Sequence, residues 1–125
     1  MLRVMSNIDS RQFAIEIARI ASDHKAEDIV AFDLRSINSI TDFTIICTGT
    51  SERQIRAVVD RVIEYGRKVG EKPYGQCGYE NAAWIILDYV DVVLHVFARP
   101  FRTFYDLELL WGDAPRIEWP RAETA

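Results

Sequence analysis

A chain of 125 residues, 49% of them hydrophobic and 27% charged, is long enough for one core and too short for two. Six glycines and four prolines exclude a fibrous or low-complexity chain. The net charge of −4 is carried between Glu80 and Asp113, where six acids (Glu80, Asp88, Asp91, Asp106, Glu108, Asp113) stand against Arg99 and Arg102; such a third cannot neutralise phosphates, so it disfavours a nucleic-acid surface and favours a basic partner.

The predicted elements begin at Asp9, which with Gln12 makes a capping-box pattern. Phe13, Ile17, Ile20 and His24 then recur at helical spacing, predicting a helix to about Lys25. Ile29 to Arg35 and Asp42 to Thr48 read as two adjacent strands. Ser51 with Gln54 is a second capping box, and Ile55, Val58, Val59, Val62 and Ile63 form a helical stripe that Gly70 stops near Val69. Lys72 to Glu80, broken by Pro73, Gly75 and Gly78, reads as loop with a short edge strand.

WIILD and DVVLHVFA form a hairpin across Tyr89-Val90, predicted to pair Asp88 with Asp91, Ile86 with Val93 and Trp84 with His95. One face is then Ile85, Leu87, Val92, Leu94 and Val96, an aliphatic core face. The other carries Trp84, Ile86, Asp88, Asp91, Val93, His95 and Phe97, a mixture unlike an ordinary core. A third helix follows Pro100 and is expected to end at Gly112, with Phe104, Leu107 and Trp111 on one side and Phe101, Tyr105 and Leu109 on another. A helix apolar on two sides is wedged within its domain or shared with a partner, and Asp106 and Glu108 beside the aromatics favour the partner.

The Gly49-Thr50-Ser51 turn between a strand and a helix N-terminus is a place where proteins hold phosphate. Metal-dependent nucleotidyl transfer also needs two convergent carboxylates, and in DVVLH Val93 stands where the second acid of a strand pair belongs. No Lys flanks the turn, and Ser51 is more simply an N-cap. The turn therefore reads as a scaffold without the chemistry. The alternative retained is a metal-dependent nucleotidyltransferase with Gly49, Thr50 and Ser51 on phosphate and Asp88 and Asp91 on metal. His95 has no Ser or Cys tied to it by a recognisable motif. Cys47 and Cys77 are too far from the two histidines to suggest a metal site, and Cys47 reads as a small buried apolar residue. MLRVMSNID lacks the features of a secretory signal or transit peptide, and no apolar run is of membrane-spanning length, so a cytoplasmic location is expected.

KAEDIVAFDLR (Lys25 to Arg35), Asp42-Phe43, GTSERQ (Gly49 to Gln54), WIILDY (Trp84 to Tyr89), DVVLHVF (Asp91 to Phe97) and FYDLELLWGDAPR (Phe104 to Arg116) resemble, in this order and spacing, the ribosome-silencing-factor or Iojap-like family. The resemblance runs from near Phe13 to Ile117. Val90 departs from it, standing where the family usually has Gly, as do Cys77 in place of an acid and Thr44 in place of an aromatic. The resemblance implies an α+β fold, a mixed sheet flanked by helices with nucleotidyltransferase-like topology, and no catalytic role, metal or cofactor. It divides the chain into an N-terminal extension (1–8), a single Iojap-like domain (9–117) and a C-terminal tail (118–125). It further implies a factor that binds the large ribosomal subunit through large-subunit ribosomal protein fourteen, blocks joining of the subunits, represses translation when nutrients are short, and forms homodimers when free. On that footing the residues expected at the partner are Trp84, Asp88, Asp91, His95 and Phe97 on the hairpin and Tyr105, Asp106 and Glu108 on the third helix. The competing expectation for Trp84 and Phe97 is burial beneath that helix.

Overall fold

The computed structural model describes residues 8–37, 40–106 and 111–119, with backbone alone at residues 103–105. Its elements are α1 (Ser10–Asp23), β1 (Glu27–Asp33), β2 (Phe43–Gly49), α2 (Glu52–Lys68), β3 (Gly75–Cys77), β4 (Trp84–Asp88), β5 (Val92–Ala98) and α3 (Arg99–Tyr105). The strands form one sheet in the order β1-β2-β5-β4-β3. β2 and β5 run parallel; the β1–β2, β4–β5 and β3–β4 pairs are antiparallel. The fold is α+β with a mixed sheet, as expected.

Every residue of β2, FTIICTG, is buried. A central strand covered on both sides has no polar face to keep wet, so it reads as a continuous apolar and β-branched run instead of an alternation. On one side Ile45 and Cys47, with Ile85, Leu87, Leu94 and Val96 of the hairpin, meet Phe13, Ile17 and Ala18 of α1 and Ile55, Val58, Val59 and Val62 of α2. Burial holds the Cys47 thiol up at about 12, so it stays protonated and inert. On the other side Val30, Phe32, Leu34, Ile46 and Phe97 form a smaller core with Ala114, against which Trp84 and Trp111 pack.

The helix starts follow from their caps. Asp9 Oδ1 accepts from Gln12 N at 2.8 Å, and Ser51 Oγ accepts from Gln54 N at 3.1 Å. At the end of α2 the Val69 N–H donates to the carbonyls of Tyr65 and Gly66, and Gly70 follows at φ 83°, a conformation without cost to glycine. The outer edge of β1 is closed by a later segment: Asp33 N donates to Pro115 O and Ile117 N to Ala31 O, each at 2.8 Å, with Arg116 bridged to Phe32.

Two expectations need correction. The hairpin pairs Trp84 with Phe97, Ile86 with His95 and Asp88 with Val93, so its connection is two residues longer than predicted. A tight two-residue turn of type I′ needs positive φ at both central positions, which Tyr89 and Val90 resist. The observed connection confines positive φ to Val90, at 73°, with Tyr89 O accepting from Asp91 N at 2.9 Å and Asp88 Oδ1 accepting from Val90 N at 2.7 Å. Because the shift is even, the strand residues keep their predicted faces; Asp91, predicted on the face with Trp84 and His95, lies instead in the connection before β5. The third helix starts at Arg99 and ends at Tyr105, where Asp106 takes the left-handed conformation (φ 40°) and donates its N–H to Arg102 O. It therefore does not run to Gly112; Trp111–Asp113 form a turn, and Leu107 and Leu109 lie outside the described residues. Asp tolerates left-handed geometry better than most residues, which a search for Gly alone overlooks.

Val90 is β-branched and left-handed, a combination that costs about 1–2 kcal/mol. Val90→Gly is expected to raise the free energy of unfolding by about 1 kcal/mol after the larger chain entropy of unfolded glycine is subtracted. Urea denaturation checks this; a variant no more stable than the parent would show that the turn carries no strain.

Candidate functional site

Register places three rows of side chains across the sheet face opposite α1 and α2. One row is Cys77, Ile86, His95, Ile46 and Val30; the next is Gly75, Asp88, Val93, Thr44 and Phe32; the third includes Trp84, Phe97 and Thr48. Toward β1 these rows are sealed by the smaller core, whereas toward β3 Trp84, Ile86, Asp88 and Val93 remain half-buried. The result is a shelf with an aromatic end and an acidic end.

The aromatic end is a set of four rings. Trp84 stacks on Phe97 at 4.9 Å, and His95 lies 6.4 Å from Phe97 and 6.1 Å from Trp111. Trp84 Nε1–H donates to His95 Nδ1 at 3.1 Å. That bond requires an unprotonated Nδ1, hence in the neutral ring a proton on Nε2. Burial lowers the His95 pKa to about 4, against the opposing pull of Asp88. Trp111 was not among the expected site residues; its signal was the aromatic placed before Gly-Asp in the last motif.

The acidic end is at the hairpin tip. Asp88 is half-buried with Oδ1 committed to the turn, while Asp91 is exposed. Trp84 and Asp88, four residues apart on one strand, are roughly 13 Å apart. Phe97 is fully buried beneath Trp84 and His95 is 8% exposed, so as the chain stands these two support the shelf instead of lining its surface. Of the competing expectation, the burial is met at Phe97, where the covering ring is Trp84, and not at Trp84 itself. Asp106 is exposed at the end of α3; Tyr105 is described by its backbone alone, and Glu108 lies outside the described residues. Arg102 anchors α3 with hydrogen bonds to Asp28 O and Thr48 Oγ1 at 2.6 and 2.8 Å.

The structure overturns the nucleotidyltransferase alternative as it was assembled. Gly49 ends β2 beside Ala98, whereas Asp91 lies at the opposite end, where its carbonyl accepts from Asp42 N and Phe43 N. Six residues of strand separate the turn from the acids, roughly 20 Å, too far for phosphate and metal to share one reaction. Gly49, Thr50 and Ser51 line a cavity of about 300 Å³ with Ala82, Arg99 and Phe101, but the polar groups of Thr50 are taken from within. Gln54 Oε1 accepts from Thr50 N at 2.6 Å and from Thr50 Oγ1, while its Nε2 donates to the carbonyls of His24 and Lys25. The N–H at Thr50 that an anion would use is thus occupied by a neutral amide that also ties α2 to the end of α1. No His, Cys, Asp or Glu cluster able to hold a metal occurs among the described residues, nor does any helix there reach the length and apolarity of a membrane span.

Residues 7–125 match the model of the family described as ribosomal silencing factor during starvation. The chain belongs to that family. Among its relatives, ribosomal silencing factor RsfS of Halalkalibacterium halodurans is 40% identical over 114 residues, covering 91% of this chain and 95% of the relative. The chloroplastic protein Iojap of Arabidopsis thaliana is 40% identical over 120 residues, covering 94% of this chain but 49% of the longer plant protein. Of solved structures, a Chromobacterium violaceum protein superposes with a TM-score of 0.81 at 27% identity, covering 94% of this chain and 97% of its own, and a Bacillus halodurans protein with 0.73 at 36%, covering 86% and 98%. In this silencing-factor chain the turn that reads as a phosphate site is held by its own glutamine.

Gln54→Ala removes both sets of bonds at once and is expected to destabilise the protein by about 1–2 kcal/mol, measurable by denaturant titration. The His95 environment sets a pH dependence. Unfolded His95 takes up a proton near 6.5 and the folded site refuses it until about 4, so the unfolded state binds more protons in that window. Stability is therefore intact above about 6.5 and falls as pH drops toward 4, by up to roughly 3 kcal/mol. His95→Phe should flatten this part of the profile; an unchanged slope would assign it to other groups.

Proposed function

We propose that this chain is a translational repressor that docks on the large ribosomal subunit through large-subunit ribosomal protein fourteen and blocks joining of the small subunit by occupying its place. The carrying observation is the shelf on the sheet face, with half-buried Trp84 at one end and the acids of the hairpin tip at the other. A half-exposed Trp on a rigid strand is the kind of anchor that dominates interfaces, and flanking acids steer a basic partner toward it. Family membership supports the reading, since its matched relatives carry the name of ribosomal silencing factors.

In this proposal Trp84, Asp88, Asp91, Tyr105, Asp106 and Glu108 meet the partner, and His95 and Phe97 act from beneath. The acidic last third argues against direct binding to ribosomal RNA. The free protein is a homodimer in this reading, works in the cytoplasm, and uses neither cofactor nor metal.

Sedimentation with isolated subunits tests it. The protein should travel with large subunits, not with small ones, and should not join large subunits already paired. Trp84→Ala should weaken association at least about tenfold, and Asp106→Lys should weaken it with an unchanged thermal melt. Migration with neither subunit would overturn the proposal.

A further inference from the structure

Trp84 and His95 are not opposite each other in the hairpin, where Trp84 pairs with Phe97 and His95 with Ile86. The indole reaches diagonally across the ladder to donate to His95 Nδ1 at 3.1 Å while its ring lies on Phe97, 24° from parallel. These two constraints are of different kinds. Stacking fixes the plane of a ring but tolerates sliding and rotation within it, whereas a hydrogen bond is directional and fixes which edge points inward. His95 is itself clamped, lying 11° from parallel to Phe97 and tilted against Trp111. The histidine thus has little freedom to follow the indole, and the indole must come to it.

We infer that His95 is the positioning residue for Trp84, turning the indole nitrogen into the sheet so that one fixed ring edge faces the partner. This rests on the docking proposal, in which Trp84 is the anchor. The role needs a neutral imidazole with an accepting Nδ1, and burial supplies it. It also accounts for a buried polar ring between Ile86 and Ile46, where Phe or Leu would pack without needing a partner. An anchor already held in its bound orientation loses less freedom on binding, so removing the acceptor should cost affinity without removing any contact surface.

The experiment compares the parent with His95→Phe, His95→Asn, Trp84→Phe and Trp84→Ala. Two readouts are used: affinity for purified large ribosomal subunits, and the Trp84 indole N–H resonance of the free, 15N-labelled protein. His95→Phe keeps an aromatic ring and loses the acceptor; His95→Asn places Oδ1 near the Nδ1 position. Expected are a shifted indole resonance and about fivefold to tenfold weaker binding in His95→Phe, with both returning toward the parent in His95→Asn. Trp84→Phe loses the donor together with part of the indole's contact surface and should bind no more tightly than His95→Phe; His95→Leu, which also lacks the acceptor, takes the place of His95→Phe in both readouts if that variant does not fold. An unmoved indole resonance in His95→Phe, or parental affinity in both His95→Phe and Trp84→Phe while Trp84→Ala is weak, overturns the inference. Parental affinity in Trp84→Ala would instead overturn the docking proposal. The resonance, read with no ribosome present, distinguishes that failure from failure of the positioning role.

Discussion

The burial of β2 along its whole length is the constraint from which the rest of the molecule follows. A strand with both faces dry needs a layer on each side, and the described residues hold two long helices to provide them. Both go to one side. The other must be covered by what remains, a short α3, the segment around Trp111 and Ala114, and aromatic rings from the hairpin. Large flat rings bury much area per residue, which is why Trp, Phe and His are set among the aliphatic side chains of this face.

That cover is incomplete, and its incompleteness matters. It seals the sheet over β1 and β2 and thins out over β4, where Trp84 lies with its ring supported and partly exposed. The same residues therefore contribute to the smaller core and to the shelf. The two ends of the sheet are equally divided in character. At the end of β2 Gln54 satisfies the polar groups of Thr50 and Ser51 caps α2; at the start of β5 the backbone at Asp91 is tied to β2 and the Asp91 side chain is exposed. A scaffold suited to holding phosphate has the Thr50 donor spent internally, while half-buried Asp88 and exposed Asp91 sit at the far end, suited to contact with a basic surface.

Much of this was legible in the residues. Both capping boxes marked real helix starts because Asp9 and Ser51 are short acceptors before apolar periodicity, and strand alternation sorted the hairpin faces apart from Asp91, which lies in the connection. Three features were not legible, each for a physical reason. Positive φ at Val90 runs against local propensity and was decided by the fit of the strands around it. The end of α3 depends on an aspartate adopting a glycine-like conformation. The choice between core and surface for Trp84 and Phe97 could not be made from period alone, since both belong to one face; their cross-strand stack buries one ring under the other. The family motifs located the shelf, but not which of its members reach its surface.

The closure of β1 bears on how the chain is made. Its outer edge is paired with residues 115–117, which leave the ribosome long after β1 itself has emerged. Until then the first strand presents an unsatisfied row of amides and carbonyls, and its inner neighbour β2 still lacks β5. Synthesis from the N-terminus thus cannot complete the sheet piecemeal. A nascent chain interrupted before residues 115–117 would retain unpaired backbone groups at Ala31 and Asp33 on that edge.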